Sequence, residues 1–68
     1  MPGRLSEVLE FLAEDGGWHT VEKVAEAVGV SPEKAEKLLR DLSELGLVHF
    51  DEEGRVRIDP ELKRLLSL

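Results

Sequence analysis

The sequence predicts a small α+β domain that is mainly helical, with a three-helix core, a short β-hairpin and a short C-terminal helix. Two observations carry this prediction. Apolar residues recur with helical spacing in three successive segments up to residue 45, and beyond Gly46 they recur at alternate positions instead. A polar stretch ending in glycine, residues 51–54, separates the two alternating segments, as expected for a hairpin loop.

The first helix is predicted over residues 5–14. Its apolar residues fall at i, i+3, i+4 and i+7, namely Leu5, Val8, Leu9 and Leu12. Phe11 lies beside this stripe, so it either widens the buried face or contacts another chain.

Glycines at positions 16 and 17 end the first helix, and Trp18 and His19 form a short extended stretch. We expect Trp18 to be buried beneath the hairpin, because large aromatic residues usually supply core area in small domains. Its alternative role is an anchor for a ligand or partner.

Two capped helices follow. Thr20 is a good N-cap for a helix that Gly29 ends, and Ser31 caps a third helix with Pro32 at its first position. The third helix is predicted over residues 32–45. Its buried face is marked by Ala35, Leu38, Leu39, Leu42 and Leu45.

The hairpin is predicted to pair residues 47–50 with residues 55–58. Asp59 and Pro60 then repeat the cap-and-proline start, and Leu62, Leu65 and Leu66 share one side of a final helix. The residues predicted to be mostly buried are Leu9, Leu12, Val24, Ala25, Leu38, Leu39, Leu42, Val48, Phe50, Val56 and Ile58.

Composition narrows the class of protein. A chain of 68 residues that is 41% hydrophobic fits one globular domain, residues 1–68, and no apolar run is long enough for a membrane span. The start lacks a signal-peptide core, so a cytoplasmic location is expected. The absence of Cys, Asn and Gln fits a thermophile or a designed sequence. The net charge of −6 opposes attraction to polyanions.

The element order of helix, short strand, helix, tight turn, helix and hairpin resembles the winged helix-turn-helix domain of small prokaryotic, especially archaeal, transcription regulators. The resemblance covers nearly the whole chain and is most specific in residues 20–31, Ala35, Leu39, Leu42 and residues 46–48. It implies that double-stranded DNA is the partner, that helix 32–45 is the recognition helix in the major groove, and that hairpin 47–58 is the wing.

The resemblance places Pro32, Glu33, Lys34, Glu36, Lys37 and Arg40 towards the groove. The predicted DNA contacts are Ser31, Lys34, Lys37, Arg40, Arg55 and Arg57. Glu33 and Glu36 depart from the family pattern of Ser, Thr, Gln or Arg, and each carboxylate would repel phosphates unless it accepts from a cytosine amino group. They also stand four residues before Lys37 and Arg40, so salt-bridged helix surface is the competing interpretation. Arg55 and Arg57 are expected on the solvent-facing side of the second strand without an adjacent acid in sequence.

The alternative function is a winged helix that binds a protein partner and not DNA, because the recognition helix and the wing tip, which contains Asp51, Glu52 and Glu53, are acidic. No catalytic motif and no cofactor site is predicted. His19 and His49 lack a third metal ligand at suitable spacing. A homodimer is expected through Phe11, Leu62, Leu65 and Leu66, with Leu68 extending the same apolar group.

Overall fold

The computed structural model describes residues 4–67. Its elements, in chain order, are α1 (Arg4–Asp15), α2 (Val21–Val28), α3 (Pro32–Glu44), β1 (Val48–Phe50), β2 (Val56–Ile58) and α4 (Pro60–Leu66). The predicted α+β fold of three helices, a hairpin and a terminal helix is confirmed. Leu68 lies outside the described residues, and the extent of the domain, residues 1–68, stays a prediction.

Side-chain caps begin three of the helices, as predicted. Thr20, Ser31 and Asp59 each accept a hydrogen bond at 3.1 Å from the backbone N–H three residues later. Such a bond satisfies one of the N–H groups that a helix start leaves without a partner. These caps therefore fix where α2, α3 and α4 begin.

The turn between α2 and α3 depends on Gly29. Its φ of 77° is left-handed, and the N–H groups of Gly29 and Val30 both donate to the carbonyl of Ala25, at 2.9 and 3.0 Å. A Cβ at Gly29 would meet nothing within 4 Å, so backbone handedness and not space requires glycine there. The turn directs α3 across α2.

Helix α3 ends in a Schellman motif. The Gly46 N–H donates to Ser43 O at 2.9 Å, and the Leu47 N–H donates to Leu42 O at 3.0 Å. This reversal turns Leu47 back towards the core and leaves Leu45 at the cap, where it is 69% exposed. The prediction that Leu45 lies on the buried face was wrong, because the helical period stops one residue earlier.

The sheet pairs β1 with β2 in antiparallel register, with Val48 opposite Ile58, His49 opposite Arg57 and Phe50 opposite Val56. His19 adds a third short segment on the other side of β2. Its N–H and C=O each bond Val56 at 2.8 Å. The predicted extended stretch before α2 is thus confirmed at His19.

Trp18 is not buried as predicted. His19 shares the core-facing side of the sheet with its partner Val56, and successive residues of an extended segment point to opposite faces. Trp18 is therefore on the outer face beside Arg57, and it is 40% exposed.

One hydrophobic core joins the three helices to the inner face of the hairpin. Its buried members are Val8, Leu12, Val24, Ala25, Val28, Ala35, Leu39, Leu42, Val48, Val56 and Ile58. Leu9, Leu38 and Phe50, predicted to be mostly buried, are half-buried and pack against its edge, and Leu5 in the first turn of α1 is exposed. Among residues 4–67 no helix is long and apolar enough to cross a membrane.

Candidate nucleic-acid interface

The start of α3 presents Ser31 and Lys34 to solvent. Ser31 Oγ accepts from the backbone N–H of Lys34 at 3.1 Å, which leaves its hydroxyl hydrogen available to a second acceptor. Lys34 is exposed, and no carboxylate of residues 4–67 lies within 4.0 Å of its ammonium group. An unpaired cation therefore stands in the first turn of α3.

The other two cations of α3 have acidic partners. Arg40 donates to Glu36 Oε2 through Nη2 at 2.8 Å and through Nε at 3.1 Å, so this predicted pair is confirmed. Lys37 does not pair with Glu33 as predicted. Its Nζ lies 3.9 Å from Asp41 Oδ2, one turn further along the helix. Lys37 is four residues from either acid, and its side chain is directed to the later one.

The wing tip is organised by Asp51. Its Oδ1 accepts from the backbone N–H groups of Glu53 and Arg55 at 2.9 and 2.8 Å, and its Oδ2 accepts from Arg55 Nε at 2.7 Å. Desolvation raises the pKa of Asp51, but the hydrogen bonds from Arg55 and Glu53 outweigh it and hold the pKa below its ordinary value.

Arg55 is consequently paired with acids that are not adjacent to it in sequence. Its guanidinium reaches Glu53 Oε1 at 3.3 Å in addition to Asp51. The loop curves back on itself, which brings Asp51 against a residue four positions later. Arg55 thus stabilises the fold of the wing tip.

A cleft of about 300 Å³ connects α3 to the wing. Arg40 lines its helix side, and Phe50, Asp51, Glu52 and Gly54 line its hairpin side. The exposed surface of α3 and the wing tip are therefore neighbours. These are the two elements that the winged helix-turn-helix resemblance assigns to DNA.

Arg57 lies apart from the wing tip. It stands on the outer face of β2, where its guanidinium carbon is 5.2 Å from the centre of the Trp18 ring. This is cation–π distance, and no carboxylate of the described chain lies within 4.0 Å of Arg57. The sequence indicated neither the contact between Arg57 and Trp18 nor the position of Lys63, which lines the same cavity as Arg57. One signal for the Arg57–Trp18 contact was available in the sequence: Trp18 and His19 are neighbours in an extended segment, so their side chains point to opposite faces of the sheet.

The two histidines bind different aspartates. His19 Nε2 is 3.1 Å from Asp15 Oδ1, and His49 Nε2 is 2.6 Å from Asp59 Oδ1. Within residues 4–67 no three acidic, histidine or cysteine side chains converge as metal ligands would. The expectation of a site without metal or cofactor is unchanged.

The residues predicted to join two copies differ in exposure. Leu65 and Leu66 are 62% and 56% exposed, whereas Leu62 is half-buried. Phe11 is half-buried too, and its ring centre is 4.9 Å from that of His19. An apolar face on α4 is therefore open to a partner.

Comparison with known protein families identifies one match. The family model of the IclR helix-turn-helix domain matches residues 3–52, which include α1, α2, α3, β1 and the first two residues of the wing loop. No curated protein shows significant similarity to the chain. The match covers more than half of the sequence and agrees with the winged architecture. The chain therefore belongs to the IclR helix-turn-helix domain family, and it is a DNA-binding transcription-regulator module.

Proposed function

We propose that the domain binds duplex DNA by placing the N-terminal half of α3 in the major groove, with Ser31, Lys34 and Lys37 as its first contacts. The observation that carries this proposal is the ammonium of Lys34, which has no carboxylate of residues 4–67 within 4.0 Å and lies on the exposed first turn of the helix that the family uses for recognition. Ser31 adds a hydroxyl that donates to a phosphate while still capping α3.

The remaining predicted contacts need an exchange of partners. Arg40 and Arg55 are bound by carboxylates, so each reaches a phosphate only when that ion pair opens. Exposed ion pairs contribute about 0.2–1 kcal/mol, so a close phosphate can replace them. Arg57 remains a predicted phosphate ligand of the wing.

Two copies would provide two recognition helices. A homodimer joined through Leu65 and Leu66 places one α3 on each half-site, and the linked contacts offset weak binding by one domain. The proposed role is regulatory and not enzymatic, and it places the domain with genomic DNA in the cytoplasm.

The test is fluorescence anisotropy of a labelled duplex of random sequence at about 20 mM and about 150 mM salt. Lys34→Gln is compared with Lys63→Gln, which removes the same charge from a lysine of α4 that also has no carboxylate within 4.0 Å among residues 4–67. Lys34→Gln should weaken binding roughly three-fold or more and lower the salt slope by about 1, because one phosphate contact is lost.

Lys63→Gln should leave the DNA affinity within about two-fold of the parent value, which is the range expected for a surface substitution outside the binding site. Equal weakening by both variants would show a general charge effect and refute the assignment to α3. No DNA binding by the parent at low salt would refute the function itself and favour the interaction module that does not bind DNA. Arg57→Gln in the same titration tests the wing contact.

A further inference from the structure

A basic groove lies between β2 and α4. It is defined here by three cations, Arg57, Lys63 and Arg64, and its floor includes Ile58 and Pro60. The cavity measures about 380 Å³. None of its lining residues belongs to α3 or to the wing tip, and Arg57 is the one lining residue that is also a predicted DNA contact. Its three cations also lie outside residues 3–52, the segment matched to the family.

The cations of the basic groove are available to a ligand. No carboxylate within residues 4–67 approaches Arg57 or Lys63 to 4.0 Å, and Arg64 has only an exposed contact with Glu61 at 3.3 Å. Asp59, the acid nearest to Arg57 in sequence, is bound instead by His49 at 2.6 Å and by the Leu62 N–H at 3.1 Å. The groove is positive on a chain whose net charge is −6.

The side chains are also held in position. The stem of Lys63 covers Gly16 so closely that a Cβ there would lie 2.8 Å from Lys63 Cε. The guanidinium of Arg57 rests over the Trp18 ring at 5.2 Å. A cation that is ordered before binding loses less conformational entropy when a ligand arrives.

We propose that the basic groove binds an acidic segment of a protein partner. Carboxylates pair with Arg57 and Lys63, and side chains of the segment pack on Pro60 and on the exposed part of Trp18 beside Arg57. The net charge of −6 repels a long polyanion at a distance but weakly opposes a short segment, whose few charges contact the groove directly.

The experiment uses labelled hexaglutamate as the probe, followed by its anisotropy and by the fluorescence of Trp18, the single tryptophan of the chain. We expect saturable binding that reports at Trp18 and weakens as salt rises from about 20 mM to about 300 mM. Arg57→Gln and Lys63→Gln should each weaken binding roughly three-fold, and their double variant roughly ten-fold. Lys34→Gln should bind like the parent.

Lys63→Gln leaves the Arg57–Trp18 pair in place, so its effect is independent of any change in the tryptophan environment. Circular dichroism verifies that each variant is folded. Equal binding by parent and double variant, or equal binding of a neutral glycine–serine hexapeptide, would overturn the proposal. A duplex DNA probe that produces the same Arg57- and Lys63-dependent change would assign the groove to DNA and make the acidic-segment assignment wrong.

Discussion

Residues 32–55 and residues 56–67 carry opposite charge balances. The first region, α3 and the wing tip, has four cations and seven carboxylates, and three of those cations are paired. The second region, β2 and α4, has three cations and two carboxylates, and two of the cations are unpaired. The recognition helix and the wing tip are thus acidic, and the basic groove lies between the second strand of the wing and α4.

This contrast teaches that net charge does not locate a function on a surface. An acidic recognition face gains little from long-range steering, so DNA affinity must come from short contacts made after encounter. Binding should therefore be weak for one copy, with a salt dependence set by its small number of phosphate contacts. A compact positive groove on the same chain acts only over about one Debye length, which is about 10 Å at 0.1 M salt.

The largest expected effect tests whether both regions depend on one core. Leu39 on α3 is fully buried in the hydrophobic core, whereas Leu45 is exposed. Leu39→Ala should lower the free energy of unfolding by about 2–5 kcal/mol, because it leaves a cavity. Leu45→Ala should change it by less than about 0.5 kcal/mol. Urea denaturation, followed by circular dichroism and by Trp18 fluorescence, measures both, and transitions that do not coincide would show that the regions unfold separately.

The next largest effect is expected on self-association. If two copies associate through α4, this part of the second region is the interface between them. Leu65→Ser with Leu66→Ser removes the exposed apolar residues of α4. Sedimentation equilibrium at high micromolar concentration should change from dimer for the parent to the 7.6 kDa monomer for the double variant. A parent that is already monomeric would eliminate the homodimer.

The acidity of the first region can be tested directly on DNA. Glu33→Gln with Glu36→Gln removes two carboxylates from α3 and releases Arg40 from its partner. Binding to random duplex should tighten roughly three- to ten-fold at low salt, because repulsion of phosphates is lost. Glu61→Gln on α4 is the matched control. Unchanged or weaker DNA binding by the double variant would place these glutamates away from the phosphates.

The smallest expected effect is on the pH dependence of folding stability, through Asp59 in the second region. The hydrogen bond from His49, followed by that from the Leu62 N–H, lowers the pKa of Asp59. A carboxyl whose pKa is lower in the folded state stabilises the fold above its unfolded pKa and loses that contribution as pH falls from about 4 towards the folded pKa. Asp59→Asn should therefore destabilise the domain at pH 7 and converge with the parent in acid.

Asparagine is itself a good N-cap, so this substitution keeps the start of α4 and removes mainly the charge. Guanidinium chloride denaturation between pH 7 and pH 3 gives the difference between parent and variant. The same substitution at Asp41, whose carboxylate has one lysine at 3.9 Å, should give a smaller difference. A difference at Asp59 that does not change with pH would contradict the role of the His49 bond.

The order of elements could be predicted because its signals are local. Caps at Thr20, Ser31 and Asp59 and the change of period after Gly46 each act within a few residues. Leu45 and Trp18 were placed wrongly because their exposure depends on how the chain continues. The Schellman turn decides the direction of Leu45, and the pairing of His19 with Val56 decides the face of Trp18.

The site was predictable only in part. Ser31 and Lys34 follow from the position of α3, whereas the ion pairs of Arg55 and Lys37 depend on rotamers that spacing does not fix. The basic groove had no sequence signal. It brings Arg57 and Lys63 together across the connection between β2 and α4, and it relies on Gly16 at the far end of α1.

The turn at Gly29 has a consequence for the denatured chain. Glycine is the residue with the most conformations to lose on folding, and here it is used only for the sign of φ, since a side chain would meet open solvent. A D-alanine has the same preferred handedness and far fewer denatured conformations. A single mirror-image residue would therefore stabilise the helix-turn-helix through the denatured chain, by reducing the conformations that folding has to remove.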